Sequence, residues 1–241
     1  MTAAPYRNQL LRALSVADRL LLKPDLERVE LELRLELEGA GQPIRYVYFP
    51  ESGFVSIVAR TETPRAIEVG VIGWEGMTGL SVVLGDDRSA NETFVQSAGW
   101  GWRIAAGKLR FALDASLSLR GCLLHYVQAF LCQVSQTALT NGRAQIEERL
   151  ARWLLMAHDR LEGDELHLTH EFLALMLGIR RPGVTVALHF LEGKGLVRST
   201  RGIVKVVDRA GLEALADGSY GASEAEYVRL FGLGAKAMSA A

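Results

Sequence analysis

The sequence predicts an α+β protein built as a β-rich N-terminal part, one long helix and a compact C-terminal part. Short β-prone runs occupy residues 42–103, and an apolar stripe of helical period follows from about Leu117. A helix, turn, helix and hairpin pattern then fills residues 168–208. The 241 residues, 49% of them hydrophobic, suffice for more than one core.

The N-terminal part contains four runs that predict strands, namely IRYVYF, FVSIVA, IEVGVIG and TFVQSAG. Turn signals separate them at Pro50, Gly53, Pro64, Gly73 and Gly85. Many short strands with regular turns are typical of a sandwich or jelly roll, and we predict a jelly roll. Residues 1–38 have a helical pattern, except that LELRLELE alternates strictly, so we expect a strand from Glu30 to Glu38.

The next segment has apolar residues at spacings of three and four, which predicts a long amphipathic helix. Such a helix packs either against its own domain or against a second copy of the chain. We favour a two-fold dimer interface. Its expected residues are Leu119, Leu123, Tyr126, Val127, Phe130, Val134 and Thr137. The polar residues 140–143 predict a hinge, with a domain boundary near Ala144.

Composition excludes several classes of protein. The net charge of −1 gives no argument for nucleic acid, although residues 166–209 hold seven basic residues against three acidic ones. Cys122 and Cys132 match no disulfide framework or metal motif, and no run of about 18 apolar residues predicts a membrane helix. We therefore expect a cytoplasmic protein without a metal, a cofactor or a membrane. Because no phosphate loop, nucleophile elbow or zinc-binding histidine pair occurs, we expect no enzyme.

The most informative segment is LTHEFLALMLGIRRPGVTVALHFLEGKGLVRSTRGIVKVVD, residues 168–208. Thr169 is expected to cap a first helix, Gly178 to end it, and Pro182 to lie in the first turn of a second helix. Small and apolar residues at the predicted crossing are Ala174, Val184 and Ala187. A basic hairpin follows around residues 201–202, so we predict a winged helix-turn-helix.

In this architecture the start of the second helix enters the major groove of DNA, and the wing contacts phosphates. Expected groove contacts are Arg180, Arg181, Gly183 and Thr185, with Thr169 nearby. Expected phosphate contacts are Arg198, Arg201 and Lys205. The alternative is a ligand- or protein-interaction module whose winged domain docks a protein, which would show little dependence on salt.

Three stretches, YFPESGFVSIVA, IEVGVIGWEGMTGL and LGIRRPGVTVALHFLEGKGLV, resemble the bacterial family of the cyclic-AMP receptor protein and the fumarate-nitrate regulator (Crp/Fnr). The resemblance covers residues 30–210. It implies a cyclic-nucleotide-binding-like sensor, dimerisation through the long helix, and double-stranded DNA as partner, with RNA polymerase contact if the protein activates. It also places Arg181 at a base-reading arginine, Pro182 at a family glutamate and Val186 at a second arginine.

The sensor departs from the family pattern. GMTGLS carries Met77 and Thr78 where the ribose-binding glutamate would be, and the pair Arg88–Ser89 lies about three residues too early for a phosphate. We therefore expect no binding of cyclic AMP and leave the effector open. The N-terminal part has no cysteine cluster of the kind that would predict an iron–sulfur centre.

The expected domains follow from these patterns. They are a jelly-roll sensor over residues 1–114, a dimerisation helix over 115–144, the winged helix-turn-helix over 145–220 and a tail over 221–241.

Overall fold

The computed structural model describes residues 6–61 and 66–232. The N-terminal strands are β1 Glu27–Leu31, β2 Glu36–Glu38, β3 Tyr46–Pro50, β4 Phe54–Arg60, β5 Ala66–Ile72, β6 Glu92–Ser97 and β7 Gly99–Ala105. They form two antiparallel sheets, ordered β1-β7-β3 and β2-β6-β4-β5, which share one buried cluster. We call these sheets the roll. The α+β class and the β-rich sensor are confirmed, whereas the turn signal at Pro64 lies outside the described residues.

Helices surround and follow the roll. Those before and between the strands are α1 Gln9–Ala13, α2 Val16–Leu22 and α3 Leu80–Leu84. Those after it are α4 Ala106–Ala115, α5 Leu117–Arg143, α6 Ile146–His158, α7 His170–Leu177, α8 Arg181–Gly193, α9 Arg209–Leu215 and α10 Ala222–Phe231. Three short strands, β8 Glu165–His167, β9 Val197–Thr200 and β10 Ile203–Val206, lie among them. We call residues 146–215 the head.

The alternating segment expected as one strand forms two. β1 ends at Leu31 and pairs with β7, whereas β2 begins at Glu36 and pairs with β6 of the other sheet. Between them Arg34 has a left-handed backbone, with φ of 68°, and donates its N–H to the carbonyl of Val95. The prediction of a continuous strand is wrong because a period of two does not show where a chain crosses between sheets.

The long helix α5 is part of the core of the roll. Phe130 packs so close to β5 that a Cβ at Gly70 would lie 2.5 Å from the Phe130 Cζ. Gln133 accepts a hydrogen bond from the N–H of Val71 at 2.7 Å and donates one to its carbonyl at 3.2 Å. These contacts hold α5 against the edge of β5.

The expected dimer interface does not agree with this packing. Six of its residues are buried within their own chain, and the seventh, Val134, packs partly buried on the same core. The buried six are Leu119, Leu123, Tyr126, Val127, Phe130 and Thr137. The stripe therefore packs on its own domain, which was the other open alternative. Periodicity identifies an apolar face but not the partner that covers it.

The head follows α5 after a short break in the helix, and it packs against the roll. α5 ends at Arg143, and α6 begins at Ile146 with a capping box formed by Gln145 and Glu148. Trp74 of the roll donates its indole N–H to the carbonyl of Asp159 at 3.2 Å. Buried Arg160 forms an ion pair with buried Glu75 at 2.7 Å.

Ten residues of the expected tail form helix α10, which packs on α5. Tyr227 is buried there and donates its hydroxyl to the carbonyl of Glu75 at 2.6 Å. Residues 233–241 lie outside the described part. Helix α10 thus packs back against α5 and the N-terminal part of the chain.

One buried carboxylate joins the roll to the head. Glu68 of β5 accepts hydrogen bonds from Ser56 Oγ and from the indole N–H of Trp153 in α6, both at 2.5 Å. Burial raises the pKa of Glu68 from 4.5 to about 7, because desolvation of the charge outweighs the two donors that stabilise it.

This shift predicts a stability that depends on pH. Because the folded protein holds the Glu68 proton more tightly than the unfolded chain, its contribution is fully present below pH 4.5 and is lost as pH rises through about 7. Glu68→Gln keeps an acceptor for Trp153 but does not titrate. Urea unfolding gives the free energy of unfolding at about pH 5 and at about pH 8. Between these two pH values we expect the variant to lose less of this free energy than the wild type. An equal loss in both proteins would contradict the assignment.

Candidate nucleic-acid interface

Helix α7 and the turn after it have the expected local chemistry. The Thr169 hydroxyl accepts the N–H of Phe172 at 3.2 Å and so caps α7. Gly178 ends the helix with φ of 62°, a left-handed backbone that glycine adopts without strain. A Cβ at Gly178 would lie 3.0 Å from Ile67 Cδ1, so this turn lies against β5.

Helix α8 packs by one face and exposes the other. Arg180 precedes it, and Pro182 lies in its first turn, where no backbone N–H is needed. Its buried residues, Val184, Ala187, Leu188 and Leu191, pack in one cluster with Leu173 and Met176 of α7. The start and the outer face of α8 are therefore available to a partner.

The polar residues expected to contact bases lie at this start. Arg180, Arg181 and Thr169 are exposed, whereas Thr185 and Gly183 are half-buried. Arg181 forms an ion pair with Glu171 at 2.9 Å, with both side chains about two-thirds exposed (64% and 67%). Such an exposed pair contributes little, so the guanidinium can exchange Glu171 for a base edge at small cost. Thr185 hydrogen-bonds His170 Nδ1 at 3.0 Å.

The wing is a three-stranded sheet in the order β8-β10-β9. The turn between β9 and β10 contains exposed Arg201 and Gly202, the latter with φ of 77°. Arg198 and Lys205 are direct cross-strand neighbours, and both are exposed. Lys205 has a long ion pair to Glu165 of β8 at 3.5 Å. Like charges opposite each other destabilise a hairpin, and the ion pair with Glu165 offsets part of this repulsion.

The residues at the positions of a cyclic-nucleotide pocket make other contacts in this structure. Met77 is buried, and the Thr78 hydroxyl accepts the N–H of Tyr48 at 3.1 Å. Exposed Arg88 donates to the carbonyl of Gly41 at 2.9 Å, and Ser89 Oγ accepts the N–H of Asn91 at 3.1 Å. Arg88 and Ser89 thus lie in the connection between α3 and β6, where Arg88 is exposed and Ser89 is buried.

The part of the chain that the structure describes contains neither a candidate metal site nor a candidate membrane helix. There, no group of three or more His, Cys, Asp or Glu side chains could hold a metal ion. No helix in residues 6–61 or 66–232 combines the length and apolarity needed to cross a membrane. Burial raises the pKa of the Cys122 thiol to about 11, so this thiol is protonated at neutral pH and is a poor nucleophile.

Residues 148–215 match the family of Crp-like helix-turn-helix domains. The C-terminal part of the chain is therefore similar to the helix-turn-helix domains of Crp-like proteins. No curated protein sequence matches the chain.

Solved structures of Crp/Fnr regulators have a similar fold. A transcriptional regulator of this family from Eubacterium rectale superposes with a TM-score of 0.70 at 19% identity, covering 87% of this chain and 98% of that one. FixK2 from Bradyrhizobium japonicum gives 0.69 at 19% identity, with 79% and 96% covered. CLP from Xanthomonas campestris, a c-di-GMP-responsive global regulator, gives 0.64 at 19% identity, with 80% and 99% covered.

A second apolar stripe on α5, absent from the expected site residues, lies on its outer face. Four leucines there are between 40% and 82% exposed, and three of them recur every seven residues. They are Leu117, Leu124, Leu131 and Leu139. We call them the outer stripe. A repeat of seven was a signal in the sequence, but the inner stripe is longer and denser and concealed it.

Proposed function

We propose that this regulator binds a specific sequence in double-stranded DNA as a homodimer, with the start of α8 in the major groove and the wing on the phosphates. The observation that carries the proposal is the exposed start of α8, where both Arg180 and Arg181 are open to solvent. Arginine can bond bidentately to guanine, and in this architecture the helix start is the part that reaches bases.

The charges of the wing support the same orientation. Arg198 and Lys205 repel each other across the hairpin, and Arg201 adds a third positive charge at its tip. Phosphates on both sides of a groove would turn this repulsion into favourable contacts. The wing would then fix the position of the head while α8 selects the sequence.

The outer stripe supports a dimer through α5. The inner face of this 27-residue helix is already covered by its own roll, whereas the outer leucines have solvent around them. Leucines at a spacing of seven are typical of paired helices. Gly121, on the same face as Leu117 and Leu124, has open space where a Cβ would lie, which permits close approach of a second helix. A two-fold pair of α5 helices would present two heads to an inverted repeat.

We further propose that DNA binding needs no cyclic AMP. Phe130 and Gln133 fill the space between α5 and β5, and the exposed Arg88 donates its guanidinium to the carbonyl of Gly41. A buried cyclic phosphate needs a paired positive charge, and Arg88 is not placed to supply it.

Salt dependence tests the role of the wing. The double variant Arg198→Ala/Lys205→Ala should bind an operator more weakly and should lower the slope of log affinity against log salt by about 2, since each phosphate contact contributes about 0.9. Fluorescence anisotropy at several salt concentrations measures this slope.

The matched control is Arg28→Ala/Lys108→Ala, which removes two equally exposed positive charges from the sensor. Its slope should equal that of the wild type. A wing variant with an unchanged slope would show that the wing does not contact phosphates. A wild-type affinity that is independent of salt would favour docking of a protein partner instead.

A further inference from the structure

The outer face of α8 has an apolar residue at its centre. An α-helix turns by about 100° per residue, so the buried Val184, Ala187, Leu188 and Leu191 define one side. The opposite direction is occupied by Pro182, Val186 and His189, while Arg181 lies to one flank near Glu171. Val186 is 65% exposed, although it is branched and apolar.

Val186 has chemistry that matches one feature of the major groove. Its side chain neither donates nor accepts a hydrogen bond, so it cannot read the polar edge of a base. Among the groups that B-DNA presents in the major groove, the C5 methyl of thymine is the apolar one. Burial of Val186 against such a methyl would remove from water a surface that the free protein leaves exposed.

We propose that Val186 is a specificity-determining residue that packs against the C5 methyl group of a pyrimidine in each half-site. This inference rests on the proposed function, because it requires α8 to enter the major groove. Thymine is the standard source of the methyl, and 5-methylcytosine presents the same group. Arg181 and Thr185 lie on one side of Val186 around α8 and would supply polar contacts to neighbouring bases.

Deoxyuridine tests the contact directly because it lacks only the thymine methyl. The full-length protein is titrated with a site enriched from random DNA, in which each thymine is replaced in turn by deoxyuridine. At one symmetric pair of positions the wild type should lose about fourfold in affinity per methyl, the value for burial of one methylene-sized group. At that pair, Val186→Ala should show a much smaller loss.

Two further measurements test whether the methyl group is responsible and provide a control variant. Replacing the thymine pair by a cytosine pair should weaken binding, and 5-methylcytosine should restore part of the loss, if the methyl is what Val186 contacts. Val16→Ala removes the same atoms from an equally exposed valine of the sensor, at 66% exposure, and should keep the full deoxyuridine penalty.

The inference and the proposed function fail in different ways. If the wild type binds every deoxyuridine site as tightly as the thymine site, or if Val186→Ala keeps the same penalty, the contact is overturned while DNA binding stands. If no DNA is enriched by the wild type, the proposed function is overturned, and the contact with it.

Discussion

Arg181→Ala is expected to lower operator affinity by about 1–3 kcal/mol per half-site, which is roughly 5- to 150-fold, with the fold intact. Arg181 stands at the exposed start of α8, where its ion pair with Glu171 at 2.9 Å contributes little. We therefore expect its loss to remove the proposed base contact and to leave the fold unchanged. Binding is measured by anisotropy, and the folded state by thermal unfolding.

The preference for particular base pairs distinguishes this effect from a general loss of positive charge. Loss of Arg181 should relax the preference at one symmetric pair of base pairs, whereas loss of a phosphate contact weakens all sequences alike. Arg28→Ala, which removes a similarly exposed arginine from the sensor, should leave both affinity and preference unchanged. Unchanged affinity in Arg181→Ala would show that another residue reads the groove.

Leu124→Glu is expected to convert the dimer into monomers and to weaken operator binding by about 100-fold or more. Leu124 lies in the middle of the outer stripe, so two carboxylates would meet at the two-fold interface without partners. Two linked heads bind with a high effective concentration, and separate heads lose this gain. Analytical ultracentrifugation measures the mass, and anisotropy measures the affinity on the same samples.

The control for this change is Leu35→Glu, which places the same charge on a leucine between β1 and β2 that is 39% exposed, against 40% for Leu124. It should remain a dimer. A Leu124→Glu protein that sediments as a dimer would refute the outer stripe as the interface and would direct attention to the other exposed apolar residues of the sensor.

Local chemistry made the helix-turn-helix predictable. Thr169 as a cap, Gly178 with a left-handed backbone and Pro182 in a first turn each have a conformational reason that acts over a few residues. The exposed starts of helices and the tips of hairpins follow from such signals. This is why Arg180, Arg181 and Arg201 could be named before any coordinates.

Long-range packing was not predictable in the same way. α5 carries two apolar faces, and only the tertiary structure shows that Phe130 belongs to the roll and Leu124 to the surface. β7 was missed because its run, GWGWRIA, contains glycine where strands usually have bulky residues. The structure gives the reason, since a Cβ at Gly101 would lie 2.5 Å from the carbonyl oxygen of Phe49.

The C-terminal helix α10 illustrates the same limit. Its ten residues, ASEAEYVRLF, pack on α5, and Tyr227 is buried beside Glu75. Helices of about ten residues are marginal without such tertiary contacts. Sequence patterns show the local preference for a helix. Whether α10 forms depends on contacts with residues such as Glu75, which lies 152 residues earlier in the chain than Tyr227.

Selection of bound sequences from a random DNA pool, with purified protein, near-physiological salt and no added ligand, tests the central claim most directly. We predict enrichment of an inverted repeat whose half-site centres lie about one helical turn apart, roughly 10 base pairs, or a multiple of it. Absence of enrichment, or enrichment of a single asymmetric element by a monomer, would contradict the proposal of a ligand-independent dimeric DNA-binding regulator.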